Sequence, residues 1–571
     1  MMANSRIVRL VGVMWWLSGI LAVSILCLEF IFDISAQGFW RDIVLSLDVL
    51  LIFAFISILI CGALPERHDV LQQVLKEKLN FFILLLVLIL FFVPRLAGVI
   101  LIGRLAAVGF FALLDTRVGR ALSVHVNLKP SQTLALSFVA LICFGTLLLT
   151  FPAATTDGRG TPPIDALFTI TSAACVTGLM VINDAGAYFT LFGQVVILAV
   201  IQVGGLGIMV LSASFAVLVG GRLPSRRQAG FNEILDVRTI KGLKSLIAAV
   251  AATTLIMESV GAILLFTLWS DNFGSFFERV WWSVFHAVSA FCNAGIGLAP
   301  DSIAKWIHSP GVSATFILLI TVGGIGFMVI ADLIDPRTWS VFRPAAIWGR
   351  LHVQTKIVLL ATLILDVGGM LLFLFLEYDG ILHGLSVWTK INASIFHSVT
   401  LRTAGFSMLS LENLAIPTVL FCCVWMFIGA SPGSCAGGIK TTTAAVCLMS
   451  VRSMLRGREQ VEVFGRQVPT SVVIRSLSIV LVSVLFITLF LILLTGTQQL
   501  PLEKLFFEVF SAFGTVGLSM NLSPQLDSLG KVLVSGLMYI GRIGPLTLAL
   551  ALGQRHQVQG FSFPEARIAV G

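Results

Sequence analysis

The sequence predicts an all-α polytopic membrane protein in which four units, each a span, a half-helix, a glycine turn and a second span, surround one central pore. Three observations lead there. The 571 residues are 57% hydrophobic and 12% charged, whereas soluble domains run near about 45–50% apolar and about 25% charged. Apolar runs long enough to cross a hydrocarbon core of about 30 Å recur from residue 7 almost to the C-terminus. A short polar turn bearing glycine then occurs four times, each between a short amphipathic segment and a long apolar one.

Composition also excludes several classes. The formal net charge is +8, but the basic residues fall in short segments between apolar runs, where positive-inside sorting puts them. They set orientation in the membrane and do not point to nucleic acid. The nine cysteines sit in apolar or Gly-rich stretches without C-x-x-C spacing, which argues against a disulfide framework or a zinc site. The first apolar run is too long for a signal-peptide core and has no small-residue cleavage site, so it reads as a retained helix.

Residues 1–127 form an N-terminal extension of three to four spans. Its third apolar run carries Pro94, Arg95 and Arg104 and divides more easily into two short spans than it forms one. Four spans would put Arg9, Lys76 and Arg120 on the same cytoplasmic side. Arg95, Arg104, Arg117 and Arg120 do not recur every third residue, so a packing or assembly module is favoured over a voltage sensor.

The four units follow at 128–221, 222–336, 337–465 and 466–571, the last with a short cytoplasmic tail, at a period of about 110 residues. Their turns are Val176-Thr177-Gly178, Asn293-Ala294-Gly295, Thr403-Ala404-Gly405 and Thr515-Val516-Gly517. Potassium filters replace an ion's water with rings of backbone carbonyls, and Thr-Val-Gly is the first half of such a sequence. Glycine permits φ values that turn successive carbonyls inward and keeps side chains out of the path. These twelve residues are therefore the candidate carbonyl donors, with K+ as transported ion and the only metal, and no organic cofactor in the chain. Three of the four copies depart from the standard sequence, which predicts a less stringent filter.

Other residues are read against this frame. The runs 201–207, 320–326 and 538–544 share a Gly-x-x-Gly or Gly-Gly-x-Gly pattern, read as close helix packing around one axis. Residues 429–438 hold Gly429, Ser431, Pro432, Gly433, Ser434, Gly437 and Gly438 and cannot continue as a helix. Unwound backbone at membrane depth must be buried in protein or line a cavity, which suits a loop lying across the path below the turns. Arg542 needs acceptors at that depth, and carbonyls freed by a broken helix supply them. Arg402 must point away from the pore and pair, with Glu508 or the ends of the half-helices as candidate partners. Glu258 and Asp366 are read as helix-to-helix pairing groups, His286 and His397 as packing residues with satisfied nitrogens, and Lys440 as an orientation anchor near the cytoplasm. Segments flanking the turns carry Asp157, Asp165, Asp184, Asp271, Asp301, Glu377, Asp379, Glu412 and Asp527, an acidic outer mouth that would concentrate cations.

The run Ser511 to Ser519, the segment Arg402-Thr403-Ala404-Gly405-Phe406 and the stretch from Gly429 to Thr443 together resemble the membrane subunits of the Trk/Ktr/HKT potassium transporters, over roughly residues 129–555. The resemblance implies one chain folding four unequal repeats around a pore in the bacterial inner membrane, embedded in lipid and working as a homodimer. It also implies a cytosolic ring of nucleotide-binding RCK-type subunits, of the TrkA or KtrA kind, as gatekeeper. Residues 429–438 would be the intramembrane gate and Arg542 the arginine that holds it, while Gly178, where sodium-preferring plant members carry serine, speaks for potassium. The long N-terminal extension and Cys435, where a small polar residue is expected, depart from the family pattern. The expected function is gated potassium uptake driven by membrane potential. A sodium- or proton-coupled symporter is the alternative, and a non-conducting receptor or scaffold is opposed by the intact glycines. No catalytic constellation is present, so the chain is not read as an enzyme.

Overall fold

The computed structural model describes residues 130–206, 240–269, 273–334, 348–458 and 460–544. The N-terminal extension, the basic segments 207–239 and 335–347, and the tail beyond 544 lie outside them, so the expectations for those stretches, including Gly207 and the N-terminal arginines, are not addressed by it.

Within the described residues the chain is helical apart from one small hairpin. Helix α1 (Pro130–Leu149) precedes the short α2 (Pro163–Ala174) and then α3 (Leu191–Gly205). The order recurs as α4 (Ile240–Leu268), α5 (Phe276–Phe291) and α6 (Pro310–Ile325), the last continued by α7 (Phe327–Ile334). Next come α8 (Val353–Leu376), α9 (Val387–Thr400), α10 (Ile416–Phe427) and α11 (Thr441–Leu455), and finally α12 (Thr470–Thr497), α13 (Leu502–Gly514) and α14 (Ser528–Ile543). Local sequence fixes many of the starts. Thr190, Ser275, Ser386 and Asp527 each accept a hydrogen bond from the backbone N–H three residues on, the N-cap arrangement. Proline in the first turn of α2, α6 and α10 costs nothing there because that N–H has no helical acceptor.

Three described helix segments, Val250–Leu268, Val353–Leu376 and Thr470–Thr497, are long and apolar enough to cross a bilayer alone. The helices after the turns are shorter because glycine or loop backbone interrupts them. Gly326 (φ +94°) separates α6 from α7, Gly544 (φ +89°) ends α14, and residues 428–440 separate α10 from α11. The outward faces of α4, α8 and α12 expose Leu255, Ile263, Leu363, Phe375, Leu481 and Ile492. Such an apolar exterior is suited to lipid, and the chain is an all-α membrane protein.

The short helices hold the core together. Helix α3 packs on α5, α6 on α9, α10 on α13, and α14 returns to pack on α2, so each turn-following helix leans on the next short helix and the last closes on the first. Lys531 on α14 pairs with Asp165 on α2 at 2.6 Å, and the Tyr539 hydroxyl donates to the Ala135 carbonyl at 2.8 Å. The glycine runs serve close packing: a Cβ on Gly204, Gly323 or Gly541 would strike the backbone carbonyl of Ala174, Phe291 or Phe513 respectively, at the end of the short helix in front of it.

One element is absent from the sequence reading. Strands β1 (Val461–Val463) and β2 (Arg466–Val468) form an antiparallel hairpin in the segment between α11 and α12. Val461 and Val463 are buried while Glu462 is exposed, the alternation of a half-buried strand. Phe464 (φ +48°) and Gly465 (φ +73°) make the two-residue turn, whose positive φ values match the twist of a tight hairpin.

The packing reading predicts that Gly541→Ala lowers the thermal midpoint of the detergent-solubilised protein, since overpacking costs about 1–3 kcal/mol. Gly536→Ala on the same helix should leave it nearly unchanged, because a Cβ there meets only the Phe490 ring at 3.8 Å.

Candidate ion-conduction site

The C-terminal ends of α2, α5, α9 and α13 deliver the four glycine turns. In three of them the helix ends in a Schellman arrangement: the N–H groups of Thr177, Ala294 and Val516 donate five residues back to the carbonyls of Ser172, Ser289 and Ser511 at 2.8, 2.7 and 2.8 Å. The preceding N–H groups of Val176, Asn293 and Thr515 donate to Ala173, Ala290 and Ala512. The third turn is built differently, with the Ala404 N–H bonded to the Thr400 carbonyl at 3.0 Å. In every turn the N–H of the middle residue faces back into the helix.

The backbone then alternates. Val176, Asn293, Thr403 and Thr515 have φ of +54°, +59°, +70° and +52°, and Gly178, Gly295, Gly405 and Gly517 have +103°, +68°, +76° and +92°. Thr177, Ala294, Ala404 and Val516 between them are not left-handed. Alternating hand along three residues turns successive carbonyls to the same side. Three of the four non-glycine left-handed residues are β-branched, a placement that costs about 1–3 kcal/mol each and persists only when the surroundings over-determine it.

The four turns meet in chain order. A Cβ on Gly178 would stand 2.7 Å from the Ala294 carbonyl oxygen, one on Gly295 2.6 Å from that of Ala404, and one on Gly405 2.6 Å from that of Val516. A Cβ on Gly517 would strike the Thr177 carbonyl, which completes the circuit. All twelve turn residues are buried, and the negative ends of four helix dipoles point at them.

Residues 428–440 lie against this circuit and are held by three other parts of the chain. The N–H of Gly437 donates to Thr515 Oγ1 at 3.0 Å, so the loop touches the fourth turn directly. The N–H groups of Ser431 and Cys435 donate to the Gly324 and Gly323 carbonyls, at 3.1 and 3.4 Å, and the Phe327 N–H donates to the Gly433 carbonyl at 3.1 Å. Arg542, 9% exposed, donates through its two terminal nitrogens to the carbonyls of Cys435 and Gly204. Ser434 Oγ closes a tight bend onto the Ser431 carbonyl at 2.6 Å. Gly429 and Ile439 bridge the loop's ends, and Gly438 sits at φ +64°. Pro432 stands where Gly326 comes closest to the loop.

Several sequence expectations are corrected. Arg402 does not pair with Glu508. Its guanidinium bonds Asp366 at 2.8 Å and Thr362 at 3.1 Å, because α9 packs on α8 and residues 362 and 366 share one face of that helix. Asp366 thereby becomes the helix-to-helix group expected of it. Glu508, fully buried on α13, accepts hydrogen bonds from Ser519 at 2.7 Å and from Ser523. Lys440 is no simple orientation anchor: its ammonium folds back onto the Ala436 carbonyl at 2.6 Å, beside the carbonyl that Arg542 holds.

His286 fits its expectation, with Nδ1 2.8 Å from the Trp282 carbonyl and Nε2 accepting from the Leu298 N–H at 3.3 Å. His397 fits only half of it, since it stacks on Phe373 at 5.1 Å while its Nε2 has no hydrogen-bond partner among the described residues. Glu258 lies 4.0 Å from the Cys292 thiol, which also faces Gln202. The outer carboxylates are partly structural. Glu377 is buried and accepts from the N–H groups of Ile381 and Ala415, Asp184 and Asp527 cap helices, and Asp165 is paired, leaving Asp157, Asp301, Asp379 and Glu412 exposed, the last accepting from Asn521, while Asp271 lies outside the described residues.

The residues missed in sequence are the hydroxyls behind the turns, Ser172, Ser289, Thr400 and Ser511. The signal was present: a Ser or Thr stands five or six residues before every turn glycine.

The chain matches the family described as TrkH, cation transport protein, over residues 123–558. It is 37% identical over 448 residues to Ktr system potassium uptake protein B of Bacillus subtilis (strain 168), covering 78% of this chain and 98% of that protein. It is 34% identical over 455 residues to the potassium/sodium uptake protein NtpJ of Enterococcus hirae, with 78% and 98% covered. Among solved structures, the potassium transporter TrkH from Vibrio parahaemolyticus is similar in fold, at a TM-score of 0.56 and 18% identity over 73% of this chain and 84% of that one. A chain with this circuit of glycine turns, matched to the family over most of its length, belongs to the TrkH family of cation transport proteins.

Proposed function

We propose that the chain takes up potassium through a pore enclosed within itself, driven by a membrane potential worth about 2.3 kcal/mol per charge per 100 mV. The observation that carries this is the closed circuit of four turns whose middle N–H groups face back into helices and whose glycines admit the neighbouring carbonyl. Its lining would be the carbonyls of Val176-Thr177-Gly178, Asn293-Ala294-Gly295, Thr403-Ala404-Gly405 and Thr515-Val516-Gly517, contributed by the four repeats bounded at 128–221, 222–336, 337–465 and 466–571. The uptake of potassium named for the Bacillus subtilis relative supports the choice of ion.

In this reading residues 429–438 are the gate. They lie against the turns, and one polar network joins them to Thr515, Gly323, Gly324 and Arg542. Opening means breaking those bonds together, with Arg542 and Lys440 adding positive charge that opposes a cation while the loop is in place. The homodimer and the cytosolic nucleotide-binding ring belong to the same reading, and the exposed Arg452, Arg456 and Arg458 at the end of α11 offer such a partner a basic surface. Sodium-coupled uptake is a second reading, supported by the potassium/sodium uptake named for the Enterococcus hirae relative. A reversal potential that follows potassium alone as sodium and pH are varied would rule coupling out.

The direct test is rubidium or potassium flux into proteoliposomes under an imposed potential, and absence of flux with and without a nucleotide-binding partner would refute the pore. Gly517→Ser should reduce potassium-over-sodium discrimination about tenfold or more, because the side chain enters the space of the Thr177 carbonyl and displaces a filter ligand. An unchanged permeability ratio would remove residues 515–517 from the filter. Deleting residues 430–436, or Arg542→Ala, should raise flux in the absence of any partner. Flux equal to wild type in both would dismiss the loop as gate.

A further inference from the structure

The hydroxyls behind the four turns are fully buried, yet they do two different things. Ser172 and Ser511 accept hydrogen bonds from the N–H groups of Gly178 and Gly517, at 3.0 and 3.1 Å. Ser289 and Thr400 instead donate to the carbonyl of the residue after the glycine, Ile296 and Phe406, each at 2.7 Å. The equivalent carbonyls of the first and fourth turns belong to Leu179 and Leu518, and no described hydroxyl makes that bond to them.

A carbonyl that accepts a 2.7 Å bond from the helix behind it is aimed at that helix and away from the axis. We infer that Ser289 and Thr400 are specificity-determining positioning residues that withdraw the carbonyls of Ile296 and Phe406, leaving the outermost ring of the pore with ligands from the first and fourth turns alone. This rests on the pore proposed above. In the circuit the second and third turns are neighbours, so the ring is open along one side, and an ion there keeps water on that side while the inner rings have carbonyls from all four turns. Discrimination by carbonyl number and field strength is therefore weakest at the outer end. Ser172 and Ser511 have the opposite effect, since pinning the glycine N–H holds the first and fourth turns in the alternating conformation.

The two pairs predict shifts of opposite sign, which a general structural role would not produce. Ser289→Ala and Thr400→Ala free a carbonyl toward the axis. Each should strengthen potassium-over-sodium preference and apparent potassium affinity in proteoliposome flux, by up to about tenfold, the factor carried by one hydrogen bond's net contribution. Thr400→Ser, which keeps the hydroxyl, should restore the wild-type preference. Ser172→Ala and Ser511→Ala should weaken that preference by a similar factor. For any variant that fails to transport, the rise in thermal midpoint produced by potassium over that produced by sodium, measured in detergent, reads the same quantity. No change in Ser289→Ala and Thr400→Ala, or a change in the same direction as Ser172→Ala and Ser511→Ala, overturns the inference. A wild-type protein that shows no potassium preference in either assay refutes the underlying pore reading instead.

Discussion

At membrane depth a backbone N–H has no water to donate to and must find its acceptor within the protein. Every feature of the four turns follows from how that requirement is met. The N–H groups of Thr177, Ala294, Ala404 and Val516 are taken up by the last carbonyls of the short helix before them, and those of Gly178 and Gly517 by a hydroxyl on its last turn. What remains on the other side of the backbone is oxygen. The left-handed Val176, Asn293, Thr403 and Thr515 are the cost of that arrangement, and the bonds on either side of them oppose relaxation to a common conformation. In the proposed pore, a cation-facing surface thus arises from satisfying donors, without an acidic side chain in the lining.

The same economy explains the loop between α10 and α11. Broken helix leaves carbonyls without partners, and a buried arginine brings more donors than it can leave unmet. Arg542 and the carbonyls of Cys435 and Gly204 cancel each other's deficits, and Lys440 does the same for Ala436. Neither group is tolerable alone at that depth, so the loop's position and the cations' positions are one structural fact. The pair of Arg402 with Asp366 follows the same rule at the third turn, where the cation is directed to a neighbouring helix.

What could be read from the sequence was whatever repeats. Gly178, Gly295, Gly405 and Gly517 stood out because glycine is the residue that spacing and φ both demand, and the glycines of α3, α6 and α14 stood out for the same reason. Partners could not be read. Asp366 and Glu508 both lie far from Arg402 in sequence, and the contact of α9 with α8 decides the pairing. The helix ends were also hidden, because a Schellman motif announces itself by glycine at the left-handed position and here that position carries Val, Asn or Thr, with glycine two residues later. Phe464-Gly465 is a turn signal too brief to be noticed in a basic segment. Lys440 looked like a topological charge because nothing local reveals that its side chain folds back.

The order of packing along the chain also constrains how the protein can be made. Helices α3, α6 and α10 each lean on a short helix that follows them in sequence, but α2 waits for α14, the last helix described. Until α14 arrives, the Asp165 carboxylate lacks Lys531, the Ala135 carbonyl lacks Tyr539, and the Gly204 carbonyl lacks Arg542. A partly inserted chain therefore lacks the helix that closes the circuit of packing, and its first short helix stays uncovered on that side. A ribosome that stops before residue 528 leaves a product with neither a closed circuit of packing nor the arginine that holds residues 428–440.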